Sequence, residues 1–278
     1  MLISIASGKG GTGKTTIGTN LAFSLENAQY IDCDVEEPNG HLFLNPEIND
    51  RFSVGIPVPQ VDESICTYCG RCAEICEYHA IIVIKDKVLV FPELCHGCGG
   101  CSYVCPVDAI EEVEREIGVI EKGTSERIEF VHARLNIGEP MAPPLIREEK
   151  KYITNNKPVI IDSSPGTSCP VVESVKGTDF CLLVTEPTPF GLNDLKLAVG
   201  MVRLLKIPCG VIVNSADIGN REVWDYCKKE NIPILMEIPF DRRIAEAYSK
   251  GIPLLKELPE YRDKFLKLYQ DIKMGVSQ

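Results

Sequence analysis

The chain has 278 residues, 44 % hydrophobic and 25 % charged, and its 29 Lys and Arg against 40 Asp and Glu leave a net charge of −11. This length can bury one large α/β core or two smaller ones, and the acidity excludes nucleic acid and anionic membrane as bulk partners, because neutralising phosphate needs a basic surface. No apolar run approaches the roughly 18 to 20 residues of a membrane span, and the N-terminus leaves no room for a signal peptide. A cytoplasmic location is therefore expected, and there 13 cysteines point to metal rather than to a disulfide framework.

Leu2 to Ala6 reads as a strand and Ile17 to Leu25 as a helix, and Gly8-Lys9-Gly10-Gly11-Thr12-Gly13-Lys14-Thr15-Thr16 lies between them. Gly8 to Thr15 match G-x-x-x-x-G-K-[ST], and strand, loop and helix are the context a phosphate loop needs. The loop backbone and helix dipole would cradle the phosphates of ATP or ADP, with Thr12 and Thr16 completing the binding stretch. Lys14 would reach the outer phosphates, and Thr15 would supply a hydroxyl to Mg2+. With Lys9 between Gly8 and Gly10, the loop resembles the deviant loop of the MinD/ParA/nitrogenase-iron-protein class. That resemblance implies an ATPase in which Lys9 acts catalytically across a homodimer formed on ATP binding.

Gln29 to Val35 reads as a second strand with Asp32 and Asp34 at its carboxyl end, where open parallel sheets build their sites. By the same resemblance this is switch I, with Asp34 orienting the attacking water. Arg51 to Asp62 is β-branched but contains Pro57 and Pro59, which confine it to a sheet edge or a linker leading into an inserted module.

That module is an internal repeat. Cys66-x2-Cys69-x2-Cys72-x3-Cys76 recurs as Cys95-x2-Cys98-x2-Cys101-x3-Cys105 at an offset of 29 residues, and His79-Ala80-Ile81 recurs as Asp108-Ala109-Ile110. Two zinc ions are the main alternative occupants, but the continuous run is the bacterial ferredoxin arrangement, in which the fourth cysteine serves the other copy's cluster. Two 4Fe-4S clusters are expected: one on Cys66, Cys69, Cys72 and Cys105, the other on Cys95, Cys98, Cys101 and Cys76. His79 and His96 read as loop residues. Cys105 is followed by Pro106 but Cys76 by Glu77, so the two clusters should be inequivalent.

Ile117 to Glu121 and Ile128 to Leu135 alternate as strands returning to the main sheet, and Met141 to Tyr152 reads as a helix whose Arg147 to Lys151 form a solvated face. Val159-Ile160-Ile161-Asp162 is a buried strand ending in an acid, the Walker B arrangement for magnesium. Asp162 and Gly166 resemble switch II of the class. Strand and helix then alternate to Lys250, the signature of a doubly wound parallel sheet. Leu255 to Lys273 reads as an amphipathic helix of mixed charge, packed on the sheet rather than anchoring a membrane. Asn214 resembles the class's adenine-reading asparagine, and Pro239, Phe240 and Asp241 the segment that brackets the base. Cys169, beyond Gly166, occupies the place of a cluster ligand in the nitrogenase iron protein but has no matching partner cysteine. Cys33, Cys181, Cys209 and Cys227 read as core fillers.

Together the motifs resemble MinD/Mrp-type P-loop ATPases carrying an inserted two-cluster ferredoxin domain. The implied fold is a doubly wound, mostly parallel α/β sheet over 1–58 and 119–278, with an α+β bacterial-type ferredoxin insert at 59–118. The implied activity is an ATP-driven dimer cycle gating electron transfer from two 4Fe-4S clusters to a redox partner protein. The alternative is an ATP-dependent iron–sulfur or metal-cofactor maturation or carrier protein with a cofactor-assembly partner. The C-P-x-C of Mrp-type carriers has no counterpart here, and neither nucleic acid nor stable membrane attachment is expected.

Overall fold

A computed structural model describes residues 1–276, and its elements follow the sequence pattern closely. Strand β1 (Leu2–Ala6) runs through the phosphate loop into α1 (Lys14–Leu25), and β2 (Gln29–Cys33) is followed by the short α2 (Gly40–Leu44). Strand β3 (Glu47–Val61) holds Pro57 and Pro59 and lies at the edge of the sheet, where a missing N–H breaks no ladder. Next come α3 (Arg71–Ile75), the hairpin β4 (Ile81–Ile84) and β5 (Lys87–Val90), and α4 (Gly100–Tyr103). Strands β6 (Ile110–Ser125) and β7 (Ile128–Leu135) follow; β6 starts seven residues before the expected Ile117 and runs four residues past the expected Glu121.

Helix α5 (Pro143–Glu149) precedes β8 (Val159–Ser163), α6 (Cys169–Val175), β9 (Phe180–Thr185), α7 (Pro189–Leu204), β10 (Cys209–Asn214) and α8 (Glu222–Lys229). The chain ends with β11 (Ile234–Ile238), α9 (Arg242–Ser249), α10 (Leu254–Glu257) and α11 (Arg262–Val276). The sheet order is β11-β10-β9-β1-β8-β2-β7-β6-β3, and the pairs from β11 to β7 are parallel.

The chain divides into two compact units, one of 1–51, 120–134 and 146–278, the other of 52–119 and 135–145. In the first, strand alternation buries both faces. Phe180, Leu182 and Val184 of β9 join the core under α1 and α11, while Cys181 and Leu183 join the core under α6, α7 and α8. Phe265, Leu268 and Ile272 of α11 are at most 1 % exposed in the first of these cores.

Two expectations need correction. The terminal helix is not continuous: Pro259, which cannot donate a backbone N–H, opens a 3-10 turn between α10 and α11. Arg147 to Lys151 is not wholly solvated either. Glu149 lies one turn beyond the buried Leu145 and is itself 0 % exposed, and burial holds its carboxyl well above the usual range. Lys150 Nζ donates to the carbonyls of Glu173, Ser174 and Lys176 at 2.7, 2.9 and 2.7 Å.

In the second unit the repeat is visible in the backbone. Tyr68 and Gly70 have positive φ, as do their counterparts Gly97 and Gly99, and His79 (φ 51) matches Asp108 (φ 52). Each copy turns through these residues into a short helix, α3 or α4, and the antiparallel β4 and β5 pair Ile81 with Val90.

Candidate functional site

The first unit contains a cavity of about 420 Å³ at the carboxyl ends of β1, β10 and β11. Gly10, Gly11, Gly13, Lys14, Thr15 and Thr16 form its phosphate end. Gly8 lies outside the lining and serves packing, since a Cβ there would stand 2.2 Å from the Asp194 carbonyl oxygen of α7. Gly13 has φ +98, a conformation that leads the loop into α1 and that L side chains resist. Asn214 Nδ2 donates to the Thr12 carbonyl at 3.0 Å, so the asparagine braces the loop while also lining the cavity.

Lys14 is 7 % exposed beside Asp34 and Asp162. Asp162 is fully buried at the end of β8, where the Tyr30 hydroxyl donates to its Oδ2 at 2.9 Å and the Thr15 hydroxyl also hydrogen-bonds to it. Its Oδ1 is buried without a partner. A hydrated magnesium ion fits that vacant acceptor and the Thr15 hydroxyl, where it would neutralise charge on the phosphates. Burial raises the Asp162 carboxyl, opposed by the Lys14 ammonium and the Thr15 and Tyr30 hydroxyls.

The register sets Asp32 directly beside Asp162. Asp32 is structural: its Oδ2 accepts from the N–H groups of Asn39 and Gly40 at 3.0 and 2.7 Å, which fixes the start of α2. Asp34 instead lines the cavity, and its carboxyl is pushed up to about 6 by burial and then by Asp162, against the pull of Lys14 and Ser164.

Pro239, Phe240 and Asp241 line the opposite end of the cavity, and the Asp241 carboxylate caps α9 by accepting from the Arg243 N–H at 2.8 Å. Sequence reasoning did not name Ile244, Ala245 and Tyr248 of α9, which complete this wall. Their signal was the i, i+4 spacing of Ile244 and Tyr248 on one helix face. The Tyr248 ring also packs against Phe43 of α2, centroids 4.9 Å apart.

Besides Gly8, the expected Lys9, Thr12, Asp162, Gly166 and Cys169 lie outside the lining. Lys9 Nζ pairs with Glu186 Oε2 at 3.3 Å, with side-chain exposures of 34 % and 26 %. Gly166 (φ +97) donates its N–H to the Ser7 carbonyl, and Pro165 of the same turn reaches the cavity in its place. Cys169 is exposed at the first turn of α6. Cys33, Cys181 and Cys227 are buried, and Cys209 is half-buried.

The second unit has two cysteine-walled cavities. Cys66, Cys69, Cys72 and Cys105 line one, among Val61, Val83 and Val88. Cys76, Cys95, Cys98 and Cys101 line the other, beside Pro57, Pro59 and Glu112. Each therefore draws three cysteines from one copy of the repeat and the fourth from the other. Backbone N–H groups aim at the sulfurs in matching fashion: Tyr68 to Cys66 and Gly97 to Cys95, both at 3.4 Å, then Ala80 to Cys76 at 3.3 Å and Ala109 to Cys105 at 3.2 Å. His96 stacks on Tyr78 beside the second cavity, with ring centroids 3.3 Å apart. Among the described residues no three His, Cys, Asp or Glu side chains gather closely enough to hold a single metal ion.

Residues 3–254 match the model of the CobQ/CobB/MinD/ParA nucleotide binding domain. An uncharacterised protein of Methanocaldococcus jannaschii is 34 % identical over 264 residues, 92 % of each chain. A protein of Pyrococcus horikoshii named iron–sulfur cluster carrier protein is 23 % identical over 98 % of this chain and 87 % of its own. Among solved structures, the septum site-determining protein MinD of Pyrococcus horikoshii, complexed with Mg-ADP, has the same fold. Its TM-score is 0.61 at 21 % identity, over 98 % of this chain and 95 % of that one. Among the described residues no helix is long and apolar enough to cross a membrane.

Proposed function

This chain belongs to the CobQ/CobB/MinD/ParA nucleotide-binding family as a P-loop ATPase of the MinD/ParA class, and on that premise we propose that it is an ATP-dependent iron–sulfur or metal-cofactor maturation or carrier protein. The observation that carries the proposal is the union, in one chain, of the phosphate-loop cavity with two cavities each walled by four cysteines. Its similarity along nearly its whole length to a protein named iron–sulfur cluster carrier supports the same direction. The crossed cysteine sets and the N–H groups aimed at sulfur suit two 4Fe-4S clusters, because each such donor favours thiolate over thiol. The clusters would supply electron storage or cargo.

At the nucleotide, Lys14 would hold the outer phosphates, Thr15 and Asp162 the hydrated magnesium, Asp34 the attacking water, and the Pro239 to Asp241 turn with Asn214 the base end. Lys9 would complete the site of a second copy, and it must first leave Glu186 to do so. A homodimer formed on ATP binding follows from that role.

A second reading, in which ATP gates electron transfer to a redox partner, is favoured by one observation: all eight cysteines are supplied by a single unit, an arrangement suited to keeping clusters rather than releasing them. One anaerobic experiment separates the two. The reconstituted protein is mixed with an apo-acceptor, with and without MgATP, while iron transfer and cluster oxidation are followed. ATP-stimulated iron transfer supports the carrier. A nucleotide-dependent change in cluster potential with all iron retained replaces it with the electron gate.

A further inference from the structure

The second unit carries twelve Asp and Glu against four Lys and Arg, so −8 of the chain's net −11 resides in fewer than a third of its residues. On this acidic unit lies an open hollow of about 790 Å³, lined by Ile75 of α3 and Tyr103 of α4 with Val104 and Pro106, and by Arg71 and Glu74. Tyr103 is 91 % exposed and contributes almost no burial to folding, while Ile75 leaves 47 % of its surface open. An open aromatic ring beside Ile75, Val104 and Pro106, with Arg71 and Glu74 at its edge, has the mixed apolar and charged composition of a protein-binding hot spot. The hollow also adjoins both cysteine cavities: Cys105 and Pro106 line it together with the first, and Ile75 lines it together with the second.

We propose that this hollow is the docking surface for a client protein whose contact face has an apolar centre ringed by Lys and Arg. The choice of occupant rests on charge. A second copy would bring −8 against −8, and an anionic lipid surface would be repelled in the same way. A basic rim is steered toward the unit over roughly the 8 Å Debye length of physiological salt, after which Tyr103 and Ile75 supply the desolvated centre. A client seated there touches walls of both cavities. The proposal rests on the cluster reading above, and its test is chosen to separate the two.

Full-length protein is prepared anaerobically, its iron content and EPR spectra are recorded, and its dithionite-reduced form is mixed with ferricytochrome c, a haem protein with a lysine-ringed contact face. The control acceptor is the same cytochrome with succinylated lysines. In each transfer a reduced cluster loses one electron and a ferric haem becomes ferrous; no bond or proton is exchanged. The native cytochrome should oxidise the protein at least about tenfold faster than the succinylated form at low salt, an advantage that fades as ionic strength rises. Tyr103→Ser should slow the native reaction by about tenfold with iron and EPR unchanged. Leu89→Ser, at a 42 % exposed position on β5, should not slow it. Equal rates with the two cytochromes, or a Tyr103→Ser protein as fast as the wild type, would overturn the docking surface. Protein without iron would instead remove the cluster reading, and the docking proposal with it.

Discussion

Asp34→Asn should make the nucleotide-free protein more stable while disabling it. The Asp34 carboxyl moves from an ordinary 3.8 to about 6 because it is largely buried and faces Asp162. With its pKa raised in the folded state, the folded chain holds a proton at pH values where the unfolded chain has released it. Its contribution to stability is therefore fully present below an unfolded value of 3.8 and is lost as pH rises through about 6. Above that the ionised carboxylate costs at most about 3 kcal/mol, and nearer 2 once its partial exposure is allowed for. Asparagine keeps the shape and removes the charge. The stability difference between variant and wild type, from urea unfolding without nucleotide or magnesium, should thus grow by about 1.5 to 2.5 kcal/mol between pH 4 and pH 8. The other raised carboxyls, Asp32, Asp162 and Glu149, are common to both proteins. ATP turnover by the variant should fall roughly 100-fold or more if Asp34 positions the attacking water. A stability difference that stays flat across this range would refute the argument that burial and Asp162 burden this carboxylate.

Lys14→Ala should lose nucleotide binding in a fluorescent-ATP titration, whereas Lys9→Ala should bind ATP yet lose ATP-dependent dimerisation in light scattering and most hydrolysis. Mixing Lys9→Ala with Asp34→Ala should restore some turnover, because the heterodimer contains one intact composite site; no recovery would leave Lys9 as Glu186's ion-pair partner alone. With clusters resolved by EPR, Cys105→Ala should perturb the cluster of Cys66, Cys69 and Cys72, and Cys76→Ala that of Cys95, Cys98 and Cys101; damage confined to the mutated repeat would sink the crossed assignment. Phe265→Ala should lower stability by about 3 to 5 kcal/mol, since it empties a fully buried position where α11 meets the core. A loss under 1 kcal/mol would mean that α11 is not held by that packing.

What the sequence determined by itself is everything whose physical requirement is met within a short contiguous stretch. A phosphate loop needs glycines between a strand and a helix, and Gly13 at φ +98 directly before α1 is that requirement in backbone form. The first three cysteines of each copy, within seven residues, wall a cavity through local turns, so the 29-residue repeat was legible as two equivalent turns before any packing was known. A buried run ending in Asp162 carries its own placement, because a parallel strand covered on both faces is apolar throughout. Tertiary structure alone decided the contacts between distant residues. Lys9 meets Glu186 across 177 positions, and the register of β2 on β8 makes Asp32 a structural acceptor while leaving Asp34 for the cavity. Tyr248 joins the cavity wall only because the fold sets its ring against Phe43 of α2. Glu149 is the sharpest case: its charged neighbours suggested a solvated face, but the helix phase that buries Leu145 carries Glu149 into the core one turn later. Local composition cannot report which face of a short helix meets the sheet, because that choice is made by the summed burial of the whole helix.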